Sequence, residues 1–136
     1  MIVKRIKGNI FETQLNHIAF AVNTEGYNDS GFAGVVSSRY WSGLANTGNK
    51  RLGEVLHHTT LDGKTLHALV CHELKPNGWS QTPQMVEQCL NSIPDNDEIA
   101  VVLIGGGLVG QMSGADVEAI LSGMERSKKR LYVYSL

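Results

Sequence analysis

The sequence predicts an α/β fold, a single domain over residues 1–136 built as a three-layer sandwich with a mixed central sheet. Three observations carry this. Strand-like and helix-like segments alternate along the 136 residues. Two apolar stretches, 17–22 and 98–104, are nearly continuous, as strands covered on both faces must be. Each is followed by a polar or glycine-rich stretch and then by residues with helical spacing.

The elements follow in order. Apolar residues alternate with basic ones over 2–6, which marks a half-buried edge strand. Residues 17–22 (His-Ile-Ala-Phe-Ala-Val) form a buried strand. From 31 to 41 the spacing turns helical, with Phe32, Val35, Val36 and Tyr40 on one side. Residues 43–53 are rich in turn formers and make a loop. Two extended runs, 54–60 and 65–72, flank Asp62-Gly63, a strong hairpin signal. Residues 75–80 read as a loop. A helix over 82–92 carries Met85, Val86, Cys89, Leu90 and Ile93 on its apolar stripe. A central strand at 98–104, a helix over 114–126 and a last strand at 130–134 complete the chain.

Composition excludes several classes of function. Twelve Lys+Arg against 13 Asp+Glu leave a net charge of −1, so free nucleic acid is not an expected partner. The cluster Lys128-Lys129-Arg130 reads instead as the C-terminal cap of a helix. No apolar run approaches the roughly 18 residues of a membrane span, and the first residues suit a strand and not a signal peptide. The expectation is a cytoplasmic protein without a membrane partner. Cys71 and Cys89 lack metal-type spacing and read as buried, reduced thiols.

Two stretches carry the functional signal. Ile104-Gly105-Gly106-Gly107-Leu108-Val109-Gly110 lies between the most apolar strand and a helix. Three successive residues without Cβ let several N–H groups converge on one point, and phosphate is the natural occupant. Gly105, Gly107 and Gly110 satisfy G-x-G-x-x-G, but no acidic residue closes the next strand, and a dinucleotide fingerprint is set aside. No Gly-Lys-Ser/Thr follows, which excludes a P-loop. The second stretch begins where the buried strand ends, at Asn23, and reaches Ser30-Gly31-Phe32-Ala33-Gly34. Asn23 can donate and accept at a pair of sugar hydroxyls, and the helix start suits an anion. Equally, Asn23 can cap a turn and Ser30 the helix.

Taken together, the two stretches resemble a macro domain. Lys7-Gly8-Asn9-Ile10 is similar to the family's Lys-Gly-Asp-Ile element. Val22-Asn23 with Gly31-Phe32-Ala33 resembles its first ligand loop, and Ile104 to Leu108 its second. The ending Val133-Tyr134-Ser135-Leu136 is similar to the compact branch that holds terminal ADP-ribose glycohydrolase and ADP-ribose-1″-phosphate phosphatase. The resemblance runs from about residue 3 to residue 136. It implies a cleft for ADP-ribose or a derivative, free or on a macromolecule, and no cofactor or metal. By carry-over, Asn9 stands where the family has an aspartate reaching the adenine amino group. Ile10, Tyr134 and Leu136 would line the adenine slot, and Gly105, Gly106, Gly107 and Leu108 would cradle the diphosphate. Asn23, Ser30, Gly31, Phe32 and Ala33 would hold the distal ribose.

Both catalytic sets of that branch are broken here. The glycohydrolase lysine falls at His72 and its aspartate at Val109, while the phosphatase histidine falls at Phe20. Valine moves no proton, and imidazole forms no Schiff base with a sugar. Two readings remain: a binder that senses or sequesters an ADP-ribose nucleotide, and a hydrolase using Asn23 and His72. A third, a ligand-free interaction module, fits poorly with glycines kept in both loops.

None of the five histidines pairs with another at i, i+4 helical spacing. His57 and His58 are adjacent on a predicted strand and point to opposite faces, and His67 and His72 diverge likewise. A zinc site is not expected; strand-surface or partly buried histidines are. Trp79 reads as an aromatic plug over the sheet edge.

Overall fold

The computed structural model describes residues 1–24, 31–44, 50–75, 78–81, 83–94, 98–102 and 114–135. In chain order they form β1 (Ile2–Lys7), β2 (His17–Asn23), α1 (Gly31–Arg39), β3 (Val55–Thr59), β4 (Thr65–Lys75), β5 (Gly78–Gln81), α2 (Pro83–Asn91), β6 (Glu98–Val102), α3 (Gly114–Arg126) and β7 (Arg130–Ser135). A 3-10 turn, Ile10–Glu12, lies between β1 and β2.

The strands make one sheet in the order β1-β7-β6-β2-β4-β3, with β5 also paired to β4. β1, β7, β6, β2 and β4 run parallel, and β3 and β5 are antiparallel to β4. The sheet is mixed, as expected. Edge strand β1 pairs with β7 alone, and Lys4 and Arg5 along it are exposed, which discourages pairing with another chain.

Strand alternation sends the central residues to two cores. Ala19 on β2, Leu69 and Cys71 on β4, Ile99 and Val101 on β6 and Leu131 and Val133 on β7 pack with Val86, Cys89 and Leu90 of α2 and Ile120, Leu121 and Met124 of α3. Ile18, Phe20 and Val22, with Leu66, Ala68, Val70 and Ala100, face the other way, onto Val36 of α1, Leu44 and Ile10. Two helices therefore cover one face and α1 the other. Both thiols are buried and reduced, and burial raises each of them, Cys89 to about 11, so neither is a reactive thiolate.

The structure departs from the sequence reading in three elements of the fold. Residues 75–80 are not a loop: β4 runs on to Lys75 and β5 folds back on it, pairing Leu74 with Trp79. Val35 is not on the buried side of α1; it is 41% exposed, whereas Val36 is 0% exposed. At about 100° per residue, Phe32, Val36 and Tyr40 share a stripe from which Val35 points away. Of the basic cluster, Lys129 donates from Nζ to the Ile93 carbonyl (2.7 Å), just past α2 and not at the end of α3, and Arg130 opens β7. β6 is described as far as Val102, and the expected continuation to 104 lies outside the described residues.

Candidate functional site

Five neighbouring parallel strands bring their carboxyl ends to one edge of the sheet, where open α/β sheets bind ligands. β2 and β6 are adjacent there, in the register Ile18↔Ala100 and Ala19↔Val101. The two stretches singled out by sequence leave from the ends of these two strands. Ser30, Gly105, Gly106, Gly107, Leu108 and Leu136 themselves lie outside the described residues, as does Val109.

On the β1 side, Gly8 ends the strand with φ +152, a conformation open to glycine, and its N–H donates to the Ser135 carbonyl (2.9 Å). The tip of β1 is thereby fastened to the tip of β7. Asn9 follows, and its Oδ1 accepts from the Phe11 N–H (3.0 Å), starting the Ile10–Glu12 turn. One lone pair of that oxygen is used locally, and a second remains for an incoming amine. Ile10 is 3% exposed in the α1-side core, and Tyr134, partly buried, packs against the same core. Asn9, Ile10 and Tyr134, expected at one end of the cleft, are thus brought together around the β1–β7 tips.

On the β2 side, Asn23 closes the strand at 7% exposure. The parallel register slips between Val22 and Asn23, and this slip makes His72 the Cα partner of Asn23. The two residues considered for catalysis are therefore neighbours across β2 and β4. An amide can hold a hydroxyl or a water but cannot transfer its proton as an acid or base; an imidazole can. Thr24 then accepts from the Lys50 N–H (2.7 Å).

Sequence reasoning missed the aromatic groups that join these two sides. Phe11 stacks on Tyr40 (centroids 4.2 Å) and on Phe32 (5.5 Å, 12° between planes). Phe32 in turn meets the edge of Phe20 at 5.5 Å. The Asn9–Ile10–Phe11 turn and the Gly31–Phe32–Ala33 helix start, far apart in sequence, are held by one set of rings. The available signal was weak: Phe11 directly follows Ile10, and Phe32 and Tyr40 share a helical stripe.

A second cluster lies at the opposite, amino-terminal edge of the parallel strands. His17 Nδ1 is 2.9 Å from His67 Nε2, and His57 Nδ1 is 2.7 Å from His67 Nδ1. His67 is 2% exposed, so the expectation of surface or partly buried histidines fails for it. The expected divergence of His57 and His58 holds, because His58 stacks on Trp41 instead (5.2 Å). Burial, followed by the charges that His57, His17 and Lys129 can carry, pushes His67 down to about 3. His17 is lowered too, by burial and then by Lys129. The two nitrogens of His67 face different partners, so the three rings do not converge on one point. Among the described residues, no group of three His, Cys, Asp or Glu is arranged to hold a metal ion. Nor is any described helix long and apolar enough to cross a membrane.

No protein-family model matches the chain, and no curated protein matches its sequence. Solved structures do resemble it. The macrodomain of Mycobacterium tuberculosis DarG is 18% identical with a TM-score of 0.70, over 100% of this chain and 98% of that one. A Trypanosoma brucei macrodomain in complex with ADP is 16% identical with a TM-score of 0.63, over 97% of this chain. An alphavirus P23pro-zbd structure is 14% identical with a TM-score of 0.66, over 98% of this chain. The chain spans 62% of the trypanosomal protein and 22% of the alphavirus one. With one helix on one face of a mixed sheet, two on the other, and likenesses that run nearly end to end, the fold of this chain is the macrodomain fold.

Proposed function

We propose that this chain binds ADP-ribose, or a nucleotide derived from it, in the crevice at the carboxyl edge of the sheet, sensing or sequestering it. The observation that carries the reading is the adjacency of β2 and β6. Parallel neighbours end at the same edge of the sheet, so the chain leaves β2 at Asn23 and β6 at Val102 from adjacent strands, and in sequence the second exit leads into Gly105–Gly106–Gly107, a run suited to a diphosphate. The gathering of Asn9, Ile10 and Tyr134 around the β1–β7 tips supports an adenine end at the same edge. The trypanosomal macrodomain structure contains ADP, which agrees with this ligand chemistry.

Titration calorimetry with ADP-ribose tests it. One site is expected, with affinity at least about tenfold weaker in Gly106→Val, because a branched side chain would stand where main-chain N–H groups must approach phosphate. No heat with ADP-ribose or its 1″-substituted relatives overturns the reading.

A second reading, a hydrolase that removes ADP-ribose from a macromolecule or a substituent from its 1″ position, is favoured by the pairing of Asn23 with His72. In that case Asn23 would hold the attacking water or the ribose, and the His72 imidazole would take the proton. Release of ADP-ribose, phosphate or acetate from the matching substrates would then fall about a hundredfold or more in both Asn23→Ala and His72→Ala. Turnover indifferent to both substitutions removes these residues from the chemistry.

A further inference from the structure

The histidine cluster sits across the sheet from the crevice and is not used by either reading above. The order β2-β4-β3 sets His67 on the middle strand, with His17 at the start of β2 on one side and His57 on edge strand β3 on the other. His57 and His67 are direct cross-strand partners, and His17 lies two residues before Ala19, the parallel partner of His67. The His17 and His67 rings stack at 5.2 Å and 10°, while His57 meets His67 edge-on at 4.9 Å and 82°.

Counting protons on this chain of rings gives a sharp limit. A nitrogen-to-nitrogen hydrogen bond needs one N–H and one bare lone pair. Three imidazoles own six ring nitrogens, and the two contacts demand two bare ones. Four protons is therefore the most the closed cluster can hold, one above its neutral content of three. The first extra proton goes to the Nε2 of whichever outer ring donates through Nδ1, and both contacts survive. A second extra proton forces N–H against N–H at one of them.

We propose that His17, His67 and His57 form a proton-counting latch, which stays closed with one added proton and opens at the second, loosening β3 from β4 as the solution becomes mildly acidic. The surroundings reinforce the limit. Beyond the three rings, the charged group acting on His67 and His17 is cationic: Lys129, from the turn between α3 and β7, which is itself held by the Ile93 carbonyl beyond α2. Lys64, from the β3–β4 turn, donates to the Thr13 and Leu15 carbonyls ahead of β2. No carboxylate is among the groups acting on either of these two histidines.

The sign follows from linkage. The unfolded chain takes a proton on each ring below the ordinary histidine value near 6.5, for three in all, while the closed cluster admits one. Stability is complete above that value and drains away as pH falls below it, His67 resisting protonation down to about 3. The test is urea unfolding of the whole chain from pH 8 to pH 5, wild type against His57→Gln. Glutamine meets His67 Nδ1 with either its oxygen or its NH2, leaving one proton-limited contact and one withheld proton in place of two. Below pH 6.5 the unfolding constant of the wild type should climb more steeply than that of the variant, by up to about tenfold per pH unit. Equal slopes overturn the proposal. If the variant does not fold, amide exchange of wild type decides. Corrected for intrinsic rates, β3 amides should lose protection between pH 7.5 and 5.5 while β6 amides keep theirs; unchanged β3 protection overturns the proposal equally.

Discussion

Single residues decide how tightly the fold's turns are closed. Gly53 precedes β3 with φ +95 and donates its N–H to the Val70 carbonyl (2.9 Å). A Cβ there would come within 2.7 Å of the Gln88 Nε2 on α2. The glutamine tip can swing aside, but the backbone conformation cannot relax without losing the hydrogen bond. Gly53→Ala should therefore destabilise the protein by about 1 kcal/mol or somewhat more, read as a lower urea midpoint with an unchanged m-value. At this scale the sequence was only partly informative. Asp62-Gly63 announced its turn, and Gly63 does adopt φ +87. Nothing adjacent to Gly53 marked it as the point where a loop meets a helix, because Gln88 is distant in sequence.

Elements are legible where one partner dictates their pattern and obscure where several do. β2 and β6 lie between covered faces, and their unbroken apolar runs announced it. α2 packs one stripe against the sheet, and Val86, Cys89 and Leu90 are buried as the spacing predicts. On α1 the stripe was drawn too wide, and adjacent valines now separate the two cases. Val36→Ala should cost about 2 kcal/mol through lost burial and the cavity left behind. Val35→Ala, on the exposed side, should stay within about 0.5 kcal/mol of wild type by thermal or urea unfolding, since alanine favours the helix. β5 escaped notice for a different reason. Its four residues carry little apolar signal, and the backbone of β4 creates the strand by offering an open edge beyond the end of β3.

For the molecule as a whole, fold class could be read in advance because alternating strands and helices leave few ways to cover a sheet. The buried strands β2 and β6, from which the two candidate ligand stretches leave, could be read because their apolar runs are nearly continuous. The ring stack of Phe11, Phe32 and Tyr40 and the latch of His17, His67 and His57 could not. Each is assembled from elements whose adjacency follows from sheet order, not from local spacing, and it is β4 that brings His17 and His57 to either side of His67.

That sheet order also governs when the β1–β7 side of the sheet comes into being. β1 has one neighbour, β7, and the Asn9 turn is anchored by the Gly8 bond to Ser135. On a ribosome, the first strand therefore waits without a seat while every other described element is being made. The corner formed by the Asn9 turn and the tips of β1 and β7 cannot assemble on a nascent chain; it closes only after β7 has emerged.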